Sequence, residues 1–401
     1  MLRFLRKNVD VSNSLYWAIF LLMYSSRESF VLGDSGNSKL KILGYLINLL
    51  LLLFFIYKLK TTHGRNRILP KVVILSFLSI LACILNFDFS IKFFYEILLF
   101  ILCSYVVTII TFEKFKIIFS DIVYWLCGFS VIIYIFYLLI PGLFSHFPIV
   151  TNTVGLERYF CLFSVIGPEA YALPRNTGIF REPGVFIIYI CLALMFELFN
   201  HQYEKRKVLF MLLALMVTFS TSGYIVALFI IMSCVFFSKE SQKKAKFAII
   251  FFLLLLYVVI SVLFAEYNLL WYVFGKLTYE NDSTNSRFGS IVANLYVIFL
   301  NFKSFLIGVG YTFMENSYAD IARIVKAGDH NTNSVLRLIA VHGIIYASVY
   351  YFYLLRFCRK YYKDMMICTF IVFLLLYSNE EIMTSFLMYI FPLYGVSRRY
   401  C

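Results

Sequence analysis

The chain has 401 residues, of which 62% are hydrophobic, 20% aromatic and only 14% charged, with a formal net charge of +14 and a mean hydropathy of +0.83. That much apolar surface cannot be hidden inside a water-soluble globule, so the composition excludes a soluble domain and indicates a multi-pass membrane protein. The basic excess does not point to nucleic acid: lysines and arginines sit in short clusters between apolar runs, the pattern that encodes membrane orientation.

The apolar runs approach the roughly 20 residues that a bilayer-spanning helix needs, and they are numerous, which favours an α-helical bundle over a barrel. The expected fold is all-α: one polytopic membrane domain over 1–401 with about twelve transmembrane helices. In chain order the runs predict spans over 13–32, 40–57, 71–88, 93–112, 117–140, 183–199, 207–220, 222–237, 247–265, 333–355, 365–378 and 382–396. Arg27 and Glu28 interrupt the first run, which also lacks a small-residue cleavage site, so it is not expected to be a removable signal peptide. Of the 36 lysines and arginines, 23 fall on alternate connections, from Arg3, Arg6 and Lys7 to Arg398 and Arg399. With an even number of spans, that places both termini in the cytoplasm.

The opposite side carries two long connections, 141–182 and 266–332. Loops of such length are usually functional or disordered, and their aromatics and the Gly167-Pro168 turn argue for order. In the second, Phe288, Ile291, Val292, Leu295 and Phe299 recur at helical spacing while Asn294 and Asn301 interrupt the apolar face. A helix lying along the outer interface fits that pattern. Of nine cysteines only Cys161 falls in an outer loop, so no outer disulfide framework is expected.

The stretch Arg175-Asn176-Thr177-Gly178-Ile179-Phe180-Arg181-Glu182-Pro183-Gly184 closes the first of these loops and opens an apolar run. Pro183 suits a helix first turn, where its missing N–H has no partner to lose. Arg175 and Arg181 then converge on a helix N-terminus, whose free N–H groups and dipole favour an anion such as phosphate. The plainer reading is an interfacial pair bridging to Glu169 or Glu182. Arg287, after a polar turn cluster, completes an arginine clamp or only anchors its helix at the head groups.

His330, within Gly328-Asp329-His330-Asn331-Thr332-Asn333, is either a general base for a sugar hydroxyl or a solvated loop histidine, with Asn331 or Asn333 as the N-cap of the next span. Arg337 follows on the same helical face, where an ionisable residue inside a membrane is a functional candidate. His342 is expected to hydrogen-bond within the bundle. Glu96, Glu380 and Glu381 pair with the arginines, assist the base, or form buried ion pairs that serve only packing. Glu280-Asn281-Asp282 lacks the further ligand spacing a metal site requires, and there is no nucleotide fingerprint, so neither metal nor cofactor is expected.

Taken in order, Arg175-x-x-Gly178-Ile179-Phe180-x-Glu182-Pro183, Thr218-Phe219-Ser220-Thr221-Ser222-Gly223-Tyr224, Arg287, Gly308-Val309-Gly310 and His330-Asn331 with Gly343 downstream resemble the O-antigen polymerase and O-antigen ligase superfamily. The resemblance covers roughly 170–345. Neither Arg175 nor Arg181 is followed eleven residues later by Gly, a spacing of some polymerases. The resemblance implies a GT-C-like helical glycosyltransferase of the bacterial inner membrane. It would extend undecaprenyl-diphosphate-linked oligosaccharides on the outer face, with lipid-linked donor and acceptor as partners and a chain-length regulator as a further one. It implies that Arg175, Arg287 and His330 act on the reacting groups. Arg181, Glu182, Asn331, Arg337 and Tyr224 would contact substrate. A ligase passing finished polymer to an acceptor, and a lipid-glycan flippase, are the alternative expectations.

Overall fold

The computed structural model describes residues 13–61, 69–167, 174–199, 204–237, 282–324 and 331–397, with backbone alone at 69–71 and 282–286. The predicted span 247–265 and His330 lie outside these residues. Fourteen helices are described: α1 Asn13–Tyr24, α2 Ser38–Thr61, α3 Leu69–Leu85, α4 Ile91–Ile109, α5 Phe112–Leu139, α6 Pro183–Leu198, α7 Lys205–Met216, α8 Thr221–Phe237, α9 Asp282–Ile298, α10 Phe302–Ile307, α11 Gly310–Ile324, α12 Ser334–Tyr361, α13 Met366–Tyr377 and α14 Phe386–Val396. Four of them, α2, α4, α5 and α12, are long and apolar enough to cross a membrane.

The first predicted span ends early. α1 is only 12 residues, about 18 Å against a hydrocarbon core of roughly 30 Å. Its end is local chemistry: the Ser25 and Ser26 hydroxyls bond back to the carbonyls of Leu21 and Met23 at 2.7 and 2.8 Å, and the chain then turns through Arg27 and Glu28. The last two predicted spans are also short, 12 residues in α13 and 11 in α14. A second difference from an all-helical fold lies in the first long connection, where β1 Ile149–Thr151, β2 Glu157–Phe160 and β3 Val165–Ile166 form an antiparallel sheet in that order. The second long connection carries α9, which includes the predicted interfacial stretch, together with α10 and α11.

Length and position are inversely matched. Every residue of α6 and of α14 is buried, so these short helices form the centre, with α6 beside α5, α7 and α8 and α14 beside α4 and α12. Long α2 instead turns Ile42, Leu46, Leu50 and Leu53 outward. In lipid that exposure carries no penalty, which is why α2 has little apolar asymmetry to read.

The bundle has two unlike ends. At one, Lys207 meets Asp121 at 2.7 Å, Lys360 bonds to the carbonyls of Tyr394 and Ser397, and Phe112 packs on Tyr361. At the other end the 25–37 turns, the sheet, the 378–385 connection and the α3–α4 turn come together: Ser29 pairs with Phe180 and Ser35 with Asn152, and the Arg27 guanidinium lies 3.4 Å from the Thr384 hydroxyl.

α12 is broken at Gly343, where φ is 80° and ψ 171°. α10 enters the break. A Cβ on Gly343 would overlap the backbone of Leu306 and Ile307, and one on Gly308 (φ 73°) the backbone of Val341 and His342. The Val309 N–H donates to the Ala340 carbonyl at 2.9 Å, supplying a partner for one group the break frees. Gly343→Ala is expected to destabilise the protein by about 1–3 kcal/mol, the scale of backbone strain in a glycine-only region, whereas Gly142→Ala, with nothing within 4 Å, leaves thermal unfolding in detergent unchanged.

Candidate functional site

The stretch from Arg175 to Gly184 is built into the loop-rich end by its backbone. Gly178 adopts φ 55° after an Asx turn in which the Asn176 side-chain oxygen accepts from the Gly178 N–H at 3.0 Å. The Ile179 carbonyl accepts from the Phe30 N–H, and the Arg181 N–H donates to the Glu28 carbonyl. Phe180 then stacks on Tyr189 of α6 with ring centroids 4.2 Å apart. Loop and helix start are therefore one rigid unit, and Pro183 is the first residue of α6 as predicted.

The group at that helix start is a carboxyl. Glu380 lies against Gly184 so closely that a Cβ there would overlap its carboxylate. The backbone on either side is pinned: the Ser334 hydroxyl donates to the Glu380 carbonyl at 2.7 Å and accepts from the Ile382 N–H at 2.7 Å. Burial first, then the neighbouring Glu182, push the Glu380 carboxyl up to about 8, against the opposing pull of Arg287, Arg181 and Arg175. Arg175, Arg181 and Arg287 thus all act electrostatically on one buried carboxyl, although Arg287 lies more than a hundred positions from the other two in the chain.

Glu381 faces a second set of cations. The Arg337 guanidinium sits 2.5 Å from its carboxylate, and Arg181 donates to its backbone carbonyl at 2.9 Å. Burial pushes the Glu381 carboxyl up, but Arg337, then Arg27, Lys92 and Arg181, hold it at about 2. Adjacent glutamates therefore carry opposite tendencies, one favouring the proton and the other the charge. Buried Nε groups of Arg181 and Arg337, and one carboxylate oxygen of Glu28, have no hydrogen-bond partner among the described residues.

The other predicted residues are more internally engaged. Arg175 donates to the Thr218 carbonyl at 3.1 Å, which ties it to the connection before α8. Glu182 is the exposed N-cap residue of α6. Asn331 forms a reciprocal amide pair with Asn294 of α9, at 2.9 and 3.1 Å, and Asn333 is the residue that caps α12. The Tyr224 hydroxyl donates to the Met216 carbonyl at 2.6 Å. His342 is fully buried with its Nε2 3.2 Å from Glu96, which accepts from the hydroxyls of Tyr311 and Tyr346 at 3.1 Å; neither ring nitrogen of His342 has a hydrogen-bond partner among the described residues, so the hydrogen bond expected of it within the bundle is not found. Among the described residues no His, Cys, Asp and Glu cluster could hold a metal ion.

Arg27, Glu28 and Lys92 were not selected from sequence, yet they belong to this cluster. The signal was present in Arg27 and Glu28, which break an apolar run; ionisable residues in such a place mark function or partners. Lys92 also pairs with Glu315. No known protein family matches the chain, and no curated protein does so either.

Because Glu380 has a folded-state value above its ordinary 4.5, the stability it lends is complete below about pH 4.5 and is lost as pH rises toward 8. Glu380→Gln is expected to flatten the pH dependence of thermal unfolding between those limits, while Glu381→Gln, which uncovers Arg337, lowers stability across the whole neutral range.

Proposed function

We propose that this protein is a lipid-diphosphate-dependent glycosyltransferase that polymerises undecaprenyl-diphosphate-linked oligosaccharides into a surface polysaccharide at a bacterial inner membrane. The observation that carries the reading is that Arg175, Arg181 and Arg287 all act on Glu380, whose carboxyl lies against Gly184 in the first turn of α6. As the anomeric carbon of the donor leaves, negative charge grows on the diphosphate, and guanidinium groups held there act mainly in the transition state. Buried N–H groups of Arg181 and Arg337 without acceptors are donors that phosphate oxygens satisfy.

A transfer that inverts the anomeric centre also needs a base for the acceptor hydroxyl. His330 has this role through the family resemblance. Glu380 is the second candidate, since its carboxyl, pushed up to about 8, titrates close to a neutral working pH, where general bases are most effective. In this reading the end that carries Lys207 and Lys360 faces the cytoplasm and the arginine end lies outside, with both termini cytoplasmic; the basic clusters on alternate connections of the sequence support that orientation. A chain-length regulator would meet the enzyme on the outer side. Neither metal nor nucleotide takes part in this scheme.

One observation favours a second reading as a lipid-glycan flippase: α12 breaks beside the buried Glu96–His342 pair, and interrupted helices with buried ionisable groups line substrate paths in transporters. Purified protein in sealed vesicles with labelled lipid-linked repeat units separates the possibilities. Chain growth without any other acceptor marks a polymerase, growth only onto an added acceptor marks a ligase, and movement across the bilayer without growth marks transport.

Arg175→Ala and Arg287→Ala are each expected to slow chain growth by about 100- to 1000-fold, as loss of one transition-state donor does, with insertion and thermal stability retained. Normal long polymer on a gel from both variants would defeat the transferase reading. Between the two bases, the decisive one is the residue whose removal, by His330→Ala or Glu380→Gln, abolishes the acidic limb of the pH–rate profile, where the rate rises as the base loses its proton.

A further inference from the structure

A second concavity lies at the loop-rich end, between the α3–α4 turn and the α10–α11 segment, and neither the arginine cluster nor the chemistry above uses it. Its volume is about 480 Å³, within the roughly 300–1,000 Å³ typical of small-molecule sites. It belongs to the same end of the bundle as the glutamates, because Lys92, in the first turn of α4, acts on Glu381.

The lining mixes apolar and polar side chains, and most of its polar groups are bonded within the protein. Asp88 directs its carboxylate into the protein, accepting from the Thr312 N–H at 2.9 Å, the Thr312 hydroxyl at 2.6 Å and the Ser90 N–H at 3.1 Å. The Lys303 ammonium donates to the Leu85 carbonyl at 2.8 Å. What is left for a ligand is the amide of Asn316 and the hydroxyl of Ser317, on one face of α11, opposite Asn86. Two aromatic rings complete it. Phe313 is partly exposed, and Phe87 is 86% exposed on a backbone with φ 51°. A non-glycine residue is rarely held at positive φ, and here the effect is to stand a ring at the rim of a polar cleft.

Amides and hydroxyls that both donate and accept suit a ligand dense in hydroxyl groups, and aromatic faces suit the C–H faces of sugar rings. We propose that this cleft binds a neutral saccharide. Its role as a hold for glycan during transfer rests on the transferase reading; the binding itself rests only on the cleft.

The full chain in lipid nanodiscs, examined by saturation-transfer NMR with maltotriose, cellotriose and chitotriose, tests this, with inorganic pyrophosphate as competitor. At least one trisaccharide is expected to bind, pyrophosphate leaves the signal intact, and Asn316→Trp, which fills the cleft, and Phe87→Ala each weaken binding at least tenfold. Both side chains are exposed, so unfolding does not explain a loss, and unchanged melting temperatures check this. No binding of any of the three, binding unchanged in both variants, or displacement by pyrophosphate overturns the proposal. Arg175→Ala separates the two readings: it retains trisaccharide binding if the cleft is a distinct site, whereas normal chain growth in both Arg175→Ala and Arg287→Ala defeats the transferase assignment and leaves the cleft standing.

Discussion

Two adjacent carboxyl groups in a membrane protein, Glu380 and Glu381, set the arrangement of everything at one end of this bundle. They sit in the non-helical connection between α13 and α14, and their surroundings come from five other parts of the chain: Arg27 from the first connection, Lys92 from α4, the stretch ending in Arg181 and Glu182, Arg287 from α9 and Arg337 from α12. A charge buried without a partner is costly enough that the protein must either neutralise it or surround it. Here both solutions stand side by side. Glu381 is surrounded, with Arg337 against it, whereas Glu380 is drawn toward its neutral form at the mouth of α6.

The consequence for the centre of the bundle is geometric. α6 and α14 are too short to span a bilayer but are buried along their whole length, so their N-terminal N–H groups face the polar connections of the protein. Polar connections can then reach inward without meeting lipid, because the longer helices around them take that contact. Irregular backbone at membrane depth is tolerated only in such shelter. The glycine crossing of α10 with the break in α12 follows the same rule, with a neighbouring N–H taking a carbonyl that the break releases.

Much of this was legible in the sequence, and the reasons are separable. α6, α8 and α13 begin within one residue of their predicted spans, because turn residues and Pro183 punctuate runs that are otherwise uniformly apolar. Arg175, Arg181 and Arg287 were recognisable because arginines are conspicuous outside basic clusters. Three features were not legible. The three-stranded sheet is formed of strands too short for a period-two pattern to register. α1 stops where two serines turn back on their own helix, a choice that composition does not reveal. The cleft beside Phe87 has no motif, since it arises from a turn and two helices over two hundred residues apart.

What the sequence determined by itself was the solvent: an excess of apolar residues leaves only lipid as a surrounding medium, and alternating basic clusters mark one side of it. It also named most of the charged residues that matter, because each such residue stands out against that background. Which of them meet, and in which protonation state, only the tertiary structure decided. Charge interaction and desolvation depend on distance and burial, and neither is a property of a residue's position along the chain.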